Sequence, residues 1–324
     1  MTHTILVTGA AGYIGSIATE ILLQEGFNVI ALDDLSTGYR EALFDSVVFY
    51  NTSFGNTTEL KKIFSTHKID TVLHFAGAAL VAESMKDPFK YFNINFCQAQ
   101  DLLDVMLLFN VKKIVFSSTC AIYGIPNPDE IPIKESAEKK PINPYGESKL
   151  LFEKALESYK NSSGLDYIAL RYFNVAGASK NRGERHNPET HLIPLAIRAI
   201  KNKNYELSIY GNDYPTKDGT AIRDYIHVID LVYAHILAIK ALVSNKKHET
   251  AYNIGYGQGY SVLEIVNSVQ EVFKTKLPYK ICERREGDPP ALIADPKKIK
   301  EDLNWQPKFN DINEMIRSAG KFIK

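Results

Sequence analysis

Thr4-Ile5-Leu6-Val7-Thr8-Gly9-Ala10-Ala11-Gly12-Tyr13-Ile14-Gly15 runs from a β-branched stretch into three glycines spaced by three. The apolar helical pattern Ile17–Glu25 follows, so this is the opening of a strand–turn–helix unit. Glycines at such a turn let the backbone approach a pyrophosphate and let helix pack on strand. The helix N-terminus offers unpaired N–H groups and positive potential to phosphates. Taken alone, Gly-x-x-Gly-x-x-Gly is met by any tight turn of this kind. Its context adds to it: a second strand, Asn28–Leu32, ends at Asp33-Asp34, 18 positions after Gly15. A carboxylate there accepts hydrogen bonds from ribose hydroxyls and repels a 2′-phosphate, so NAD is expected rather than NADP.

Outward from this unit, short strands alternate with helical stretches. Val47–Tyr50, Thr71–Phe75, Lys113–Ser118 and Tyr167–Tyr172 read as strands. Thr58–Thr66, Tyr91–Phe109 and Tyr145–Ser162 read as helices. The strands are apolar on both faces, as in a sheet covered by helices on both sides. The expected fold is α/β, a doubly wound, Rossmann-type parallel sheet over 1–175. After Val175 the chain becomes polar and loop-rich, with a helix at His191–Lys201, a strand at Leu207–Tyr210, a helix at Val228–Leu242 and a strand at Ala251–Ile254. A smaller C-terminal substrate-binding domain is expected over 176–324, with a return to the sheet near 225–255.

Composition bounds the function classes. The 324 residues are 45% hydrophobic and 23% charged, with 38 basic against 38 acidic residues. Zero net charge argues against broad nucleic-acid or anionic-membrane binding. The three cysteines, Cys97, Cys120 and Cys282, lack CxxC or Cys/His metal spacing, so no metal is expected. They read as buried, reduced thiols of a cytoplasmic protein. The first strand starts so near Met1 that no signal peptide is expected, and no apolar run reaches membrane-spanning length.

The chemistry is carried by Tyr145-Gly146-Glu147-Ser148-Lys149. The spacing puts a phenol and an ammonium one helical turn apart on one face. A neighbouring cation favours the phenolate, which predicts a lowered Tyr145 pKa and a general base. Phe116-Ser117-Ser118-Thr119 ends a strand, and ligands of open α/β sheets lie beyond strand C-termini. His74, His227 and His235 read as structural.

Ser/Thr followed by Tyr-xxx-Lys, downstream of the glycine turn, resembles the extended short-chain dehydrogenase/reductase superfamily. Finer motifs narrow the resemblance: Pro144–Lys149, Arg171-Tyr172-Phe173-Asn174-Val175-Ala176-Gly177, His191-Leu192-Ile193-Pro194, Gly211–Thr216, Asp218-Gly219-Thr220, Arg223–Val228 and Arg285–Pro289. Together they resemble the UDP-glucose 4-epimerases, from Ile5 to Leu303-Asn304-Trp305. The resemblance implies a tightly held NAD, recycled within each turnover, and a UDP-sugar whose C4 is inverted through a 4-ketosugar. It implies catalysis by Tyr145, Lys149 and Thr119. NAD would be held by Gly9, Gly12, Tyr13, Ile14, Gly15, Asp33, Asp34, Ser36, Phe75, Ala76, Gly77, Asn95, Ser117, Lys149 and Tyr172. Asn174, His191, Leu192, Ser208, Ile209, Tyr210, Arg223, Arg285 and Asp288 would hold the nucleotide diphosphate, with Leu292 beside the sugar 2-substituent. A homodimer through Tyr91–Phe109 and Tyr145–Ser162 is also implied.

Four positions depart from the family pattern. Thr119 stands where Ser is common and keeps the hydroxyl. Ser53 replaces an Asp at the adenine, and Ala79 replaces a Lys near the phosphates; both predict weaker NAD retention. His191 replaces an Asn and introduces a titratable charge. Among rivals, a 4,6-dehydratase needs an acid pair after the Thr, where this chain has Cys120-Ala121. Epimerases of other UDP-sugars (N-acetylhexosamines, pentoses or glucuronate) differ only in pocket shape. A non-catalytic NAD-binding regulator would not need both Tyr145 and Lys149.

Overall fold

The computed structural model describes residues 3–244, 246–285 and 287–323. Seven strands form one parallel sheet: β1 (Thr4–Thr8), β2 (Asn28–Asp33), β3 (Val48–Asn51), β4 (Thr71–His74), β5 (Lys113–Thr119), β6 (Asp166–Tyr172) and, from later in the chain, β10 (Ala251–Ile254). Their order is β10-β6-β5-β4-β1-β2-β3. β1 pairs in parallel with both β2 and β4, so the winding reverses there and the carboxyl ends of β1 and β4 frame a crevice. Ile5, Leu6 and Val7 have no exposed surface, because helices cover both faces.

By internal contacts the chain divides into two compact units. One runs to Gly124 and adds Lys139–Arg171 and Val232–Tyr252. The other comprises Ile125–Glu138, Tyr172–Leu231 and everything from Asn253 onward. The first unit's core stacks Phe116 and Phe152 around His74, and His74 is fully buried with Nδ1 2.7 Å from Thr8 Oγ1. Burial pulls its imidazole down to about 3, so it is neutral and structural.

The second unit is built on β9 (Ile222–His227), flanked by β11 (Gly259–Ser261) and β13 (Ala291–Leu292), with β7 (Asn174–Ala176) also on β9. A separate pair joins β8 (Leu207–Tyr210) to β12 (Tyr279–Cys282) in parallel. The helices Leu192–Lys201, Val262–Phe273 and Ile312–Ala319 close its core around Ile193, Ile197, Ile265 and Met315. Trp305 is buried and donates Nε1–H to the Asp230 carbonyl at 3.0 Å.

Two expectations are corrected. Of the three free cysteines only Cys120 is buried; Cys97 is exposed and Cys282 half-buried. Cys97 ends a π-helical turn, Asn93–Cys97, inserted before the helix Gln98–Leu108. The buried assignment rested on the flanking Phe96-Cys97 pattern, and at this turn Phe96 is half-buried while Cys97 is exposed. Cys282 sits at the end of β12, in a two-stranded sheet with little to cover it. No described helix is long and apolar enough to cross a membrane.

Candidate active site

The first unit gathers at strand ends the residues singled out for a dinucleotide. Gly9 follows β1 with φ +69°, and a Cβ there would stand 2.6 Å from the Ala76 backbone nitrogen beyond β4. A Cβ at Gly15 would lie 2.0 Å from the Gly9 carbonyl oxygen, so the first helical turn packs directly on the glycine loop. Helix Tyr13–Gln24 starts from Gly12 with no side-chain cap. Its leading N–H groups are therefore not covered by a capping side chain, the arrangement that receives a phosphate. Asp33 ends β2, buried, its carboxylate accepting from Ala11 N–H (2.9 Å) and Leu35 N–H (2.8 Å). Asp34 is exposed and accepts from the Ser36 hydroxyl at 2.6 Å. These residues fit a dinucleotide: backbone space for a pyrophosphate, an open helix end and a carboxylate at the second strand. Gly15→Ala is expected to cost about 1–3 kcal/mol of stability through overpacking and to yield protein with far less bound nicotinamide, read by extraction and assay.

The helix Pro144–Ser163 carries the catalytic candidates. Asn143 caps it by accepting from Gly146 N–H at 2.8 Å, Pro144 occupies the first turn, and Gly164 ends it in the left-handed region. Lys149 is buried, with Nζ 3.0 Å from the Ser117 carbonyl oxygen and 4.8 Å from the centre of the Phe116 ring. Burial lowers its pKa to about 8. A Cβ on Gly77 would stand 3.4 Å from this ammonium and 2.8 Å from Asn95 Oδ1. Asn95, on the π turn, accepts from Ala78 N–H (2.8 Å) and donates to the Ala78 carbonyl (2.9 Å) and the Ser148 hydroxyl (3.0 Å). The turn past β4 is thereby held against the Tyr145 helix.

Tyr145 departs from expectation. Burial raises its phenol to about 12, and a hydrogen bond from Thr119 lowers it only in part. The Lys149 charge does not set the sign, because that ammonium is turned to the Ser117 carbonyl. Thr119 ends β5, so strand and helix together place hydroxyl and phenol side by side.

Sequence reasoning missed what lies behind this pair. Glu153, two turns beyond Tyr145, is buried and held by Arg171 from β6 through Nε (3.0 Å) and Nη2 (2.6 Å). The Ser118 hydroxyl donates to the same carboxylate at 2.5 Å, and Arg171 Nη1 donates to the Tyr123 hydroxyl at 3.0 Å. The signal was available: Tyr145, Lys149 and Glu153 recur every four residues on one helix face.

The second unit holds the anchor candidates in two groups. Arg223 and Leu292 are, respectively, on β9 and paired in register on β13, and Arg223 bridges to the Asp288 carboxylate. Arg285 lies over the Tyr210 ring at 4.0 Å, and Ser208 and Ile209 precede Tyr210 on β8. Asn174 is on β7, beside Tyr225 of β9, and Tyr172 and Leu192 also belong to this unit. His191 precedes the helix Leu192–Lys201 and its Nδ1 is 2.8 Å from Glu189 Oε1. Burial alone would lower its pKa; the Glu189 and Glu184 carboxylates override that and raise it.

Residues 5–255 match the family model of the NAD dependent epimerase/dehydratase family. The chain belongs to this family. It is 47% identical to a UDP-glucose 4-epimerase of Lacticaseibacillus casei, over 98% of this chain and 95% of the relative. Its structure is similar to that of a UDP-glucose 4-epimerase from Brucella ovis in complex with NAD, with TM-score 0.95 and 41% identity across 99% of this chain and 98% of the other. A UDP-Glc/GlcNAc 4-epimerase from Campylobacter jejuni is also similar, with TM-score 0.85 and 37% identity over 98% of both chains. The glycine loop, Asp33 and the Tyr145–Lys149 pair of this family member all fall within the matched span.

Proposed function

We propose that the protein interconverts UDP-galactose and UDP-glucose by inverting C4 through a 4-ketosugar, with NAD carried on the first unit. The observation that carries this is the Thr119 hydroxyl beside the Tyr145 phenol, on the same unit as the buried Lys149 and the glycine loop. Full-length similarity to UDP-glucose 4-epimerases supports the substrate class.

In this reading Tyr145, as phenolate, takes the proton of the sugar 4-hydroxyl and later returns it. Thr119 holds the 4-oxygen. NAD, when bound, would supply the hydride acceptor for C4, and its positive charge would favour the phenolate that burial disfavours. Lys149 would hold the nicotinamide ribose from its seat on Ser117 and Phe116. The second unit would hold the UDP, with Arg223 and Arg285 suited to diphosphate oxygens by their planar guanidinium groups. A ketosugar that must present both faces needs such a remote anchor.

Leu292 sets the breadth of substrates. Its intermediate size favours the plain hexoses, with weak turnover of N-acetylhexosamines. An ill-fitting group costs about 10–200-fold in kcat/KM per methylene-sized difference. UDP-N-acetylgalactosamine is therefore expected to react at least about 10-fold less well, and Leu292→Ala to narrow the gap. Equal kcat/KM for both sugars in the unaltered enzyme would overturn this assignment. Homodimerisation is proposed through the faces of Gln98–Leu108 and Pro144–Ser163, where Leu108 remains exposed. A dimer in sedimentation at micromolar protein is the expected result. Three cysteines without a disulfide and a nucleotide-sugar substrate favour the cytoplasm.

Proton NMR of UDP-galactose with purified protein and no added NAD tests the activity. Conversion to a mixture with UDP-glucose is expected. Silence that persists after NAD is added would move the substrate to a pentose or uronate nucleotide.

A further inference from the structure

Outside the catalytic candidates, one cluster in the second unit has the composition of a metal centre. We propose that Glu184, His186, Glu189 and His191 bind one divalent transition-metal ion of the zinc type. One ligand atom from each of the four lies within 4.8 Å of all the others. They come from a single irregular stretch of eight residues, Glu184-x-His186-x-x-Glu189-x-His191, that leads into the helix Leu192–Lys201. No regular element restrains the stretch, so its backbone can turn four side chains onto one point.

The two carboxylates are the fixed half of the site. The Glu184 and Glu189 side chains are 6% and 3% exposed. Glu184 Oε1 accepts from the Arg185 and His186 amides at 3.0 and 3.1 Å, and Glu189 Oε1 from the Thr190 and His191 amides at 2.7 Å each. These amide bonds set the direction of both carboxylates, the task that outer hydrogen bonds perform around bound metals.

The imidazoles are the second observation. His186 Nδ1 lies 2.5 Å from Glu184 Oε1, yet it is buried and makes no directed hydrogen bond. His191 Nδ1 lies 2.8 Å from Glu189 Oε1, and the two rings stand 5.5 Å apart at 36°. The His186 nitrogen, covered and ion-paired to Glu184 without a directed hydrogen bond, lies near a second carboxylate and a second imidazole, a setting that a cation would satisfy. Two independent His–Glu ion pairs would leave the four ligand atoms no reason to converge.

The donor set chooses the ion. Two nitrogens with two oxygens suit Zn²⁺ and its neighbours Co²⁺ and Ni²⁺; Mg²⁺ and Ca²⁺ prefer all-oxygen shells. Bond lengths near 2.0–2.2 Å place tetrahedral ligand atoms about 3.4 Å apart. The cluster brackets that value, with close pairs at 2.5 and 2.8 Å and the widest separation at 4.8 Å. Small side-chain rotations therefore close the site. The bound ion clips the stretch from Glu184 to His191 at the start of the helix that follows.

The test uses tag-free, full-length protein, stripped with a chelator, dialysed and titrated with Zn²⁺ against a chromophoric competitor. The expected result is one Zn²⁺ per chain, with affinity at least about 100-fold weaker in Glu184→Gln/His186→Ala, since outer-partner loss alone costs 10–100-fold. Co²⁺ should give the visible absorption of a four-coordinate centre in the parent and not in the variant. Zn²⁺ should raise the unfolding temperature of the parent alone. Binding of less than one ion per chain by the parent would overturn the proposal, as would equal affinity in parent and variant. Should the double variant not fold, Glu184→Gln alone and the parent's stoichiometry decide.

Discussion

Tyr145→Phe is expected to lower kcat for UDP-galactose epimerisation by about 10²–10⁴-fold, the range for losing a positioned acid–base group. The phenol oxygen is the only group removed, and ring packing against Tyr91 at 6.4 Å between centroids is preserved. KM should change little, because the proposed UDP anchors are on the second unit. The variant should still carry nicotinamide, since the glycine loop and Asp33 are untouched. Lys149→Met should also lower kcat. Its loss removes the ammonium, seated 3.0 Å from the Ser117 carbonyl, that is proposed to hold the nicotinamide ribose. Steady-state kinetics with nicotinamide content checks both. A Tyr145→Phe enzyme keeping more than about a tenth of parental kcat would remove Tyr145 from the acid–base role.

Arg171→Ala is expected to be among the most destabilising single changes, at about 3–5 kcal/mol, because it strands a buried carboxylate. Glu153 and Arg171 have side chains only 8% and 6% exposed and share a two-pronged contact. Arg171→Ala also removes a donor to the Tyr123 hydroxyl, and loss of Glu153 removes the acceptor of the Ser118 hydroxyl. Glu153→Ala should behave alike. The paired replacement Glu153→Leu/Arg171→Met should recover most of the loss, since an apolar pair carries no desolvation cost. Urea midpoints by circular dichroism check this. A double variant as unstable as either single one would show that the network stabilises beyond its charges. Because this pair braces the helix of Tyr145 from behind, partial loss of kcat in the single variants is expected as well.

The strands of the large sheet were legible because burial on both faces makes each a continuous apolar run between turns. β8 and β10 emerge at the bounds expected for them, Leu207–Tyr210 and Ala251–Ile254. β9 was hidden for an equally physical reason. Ile222-Arg223-Asp224-Tyr225 has charges where a central strand should be apolar. Asp224 is nevertheless fully buried, its carboxylate accepting from the amides of Tyr256, Gly257 and Ala294. A long-range clamp of that kind leaves no local pattern. The π turn at Asn93–Cys97 is silent for a similar reason: the residues around it carry no local mark of the wider turn. Within the candidate site, spacing singled out Tyr145 and Lys149 as candidates, and the family resemblance added Thr119. The direction of the Tyr145 pKa was not readable, because it depends on burial and on where the Lys149 ammonium turns. The Glu/His cluster escaped because its spacing matches no common Cys/His metal pattern, and its convergence is a property of an irregular loop.

In the proposed reaction a carried nicotinamide would take the hydride from C4 of the sugar and return it to the opposite face. UDP-galactose deuterated at C4, incubated with the purified protein in ordinary water and read by NMR, tests this directly. UDP-glucose that keeps the deuterium at C4 is the expected product. Loss of the label to solvent during interconversion would contradict it and point instead to inversion through proton exchange.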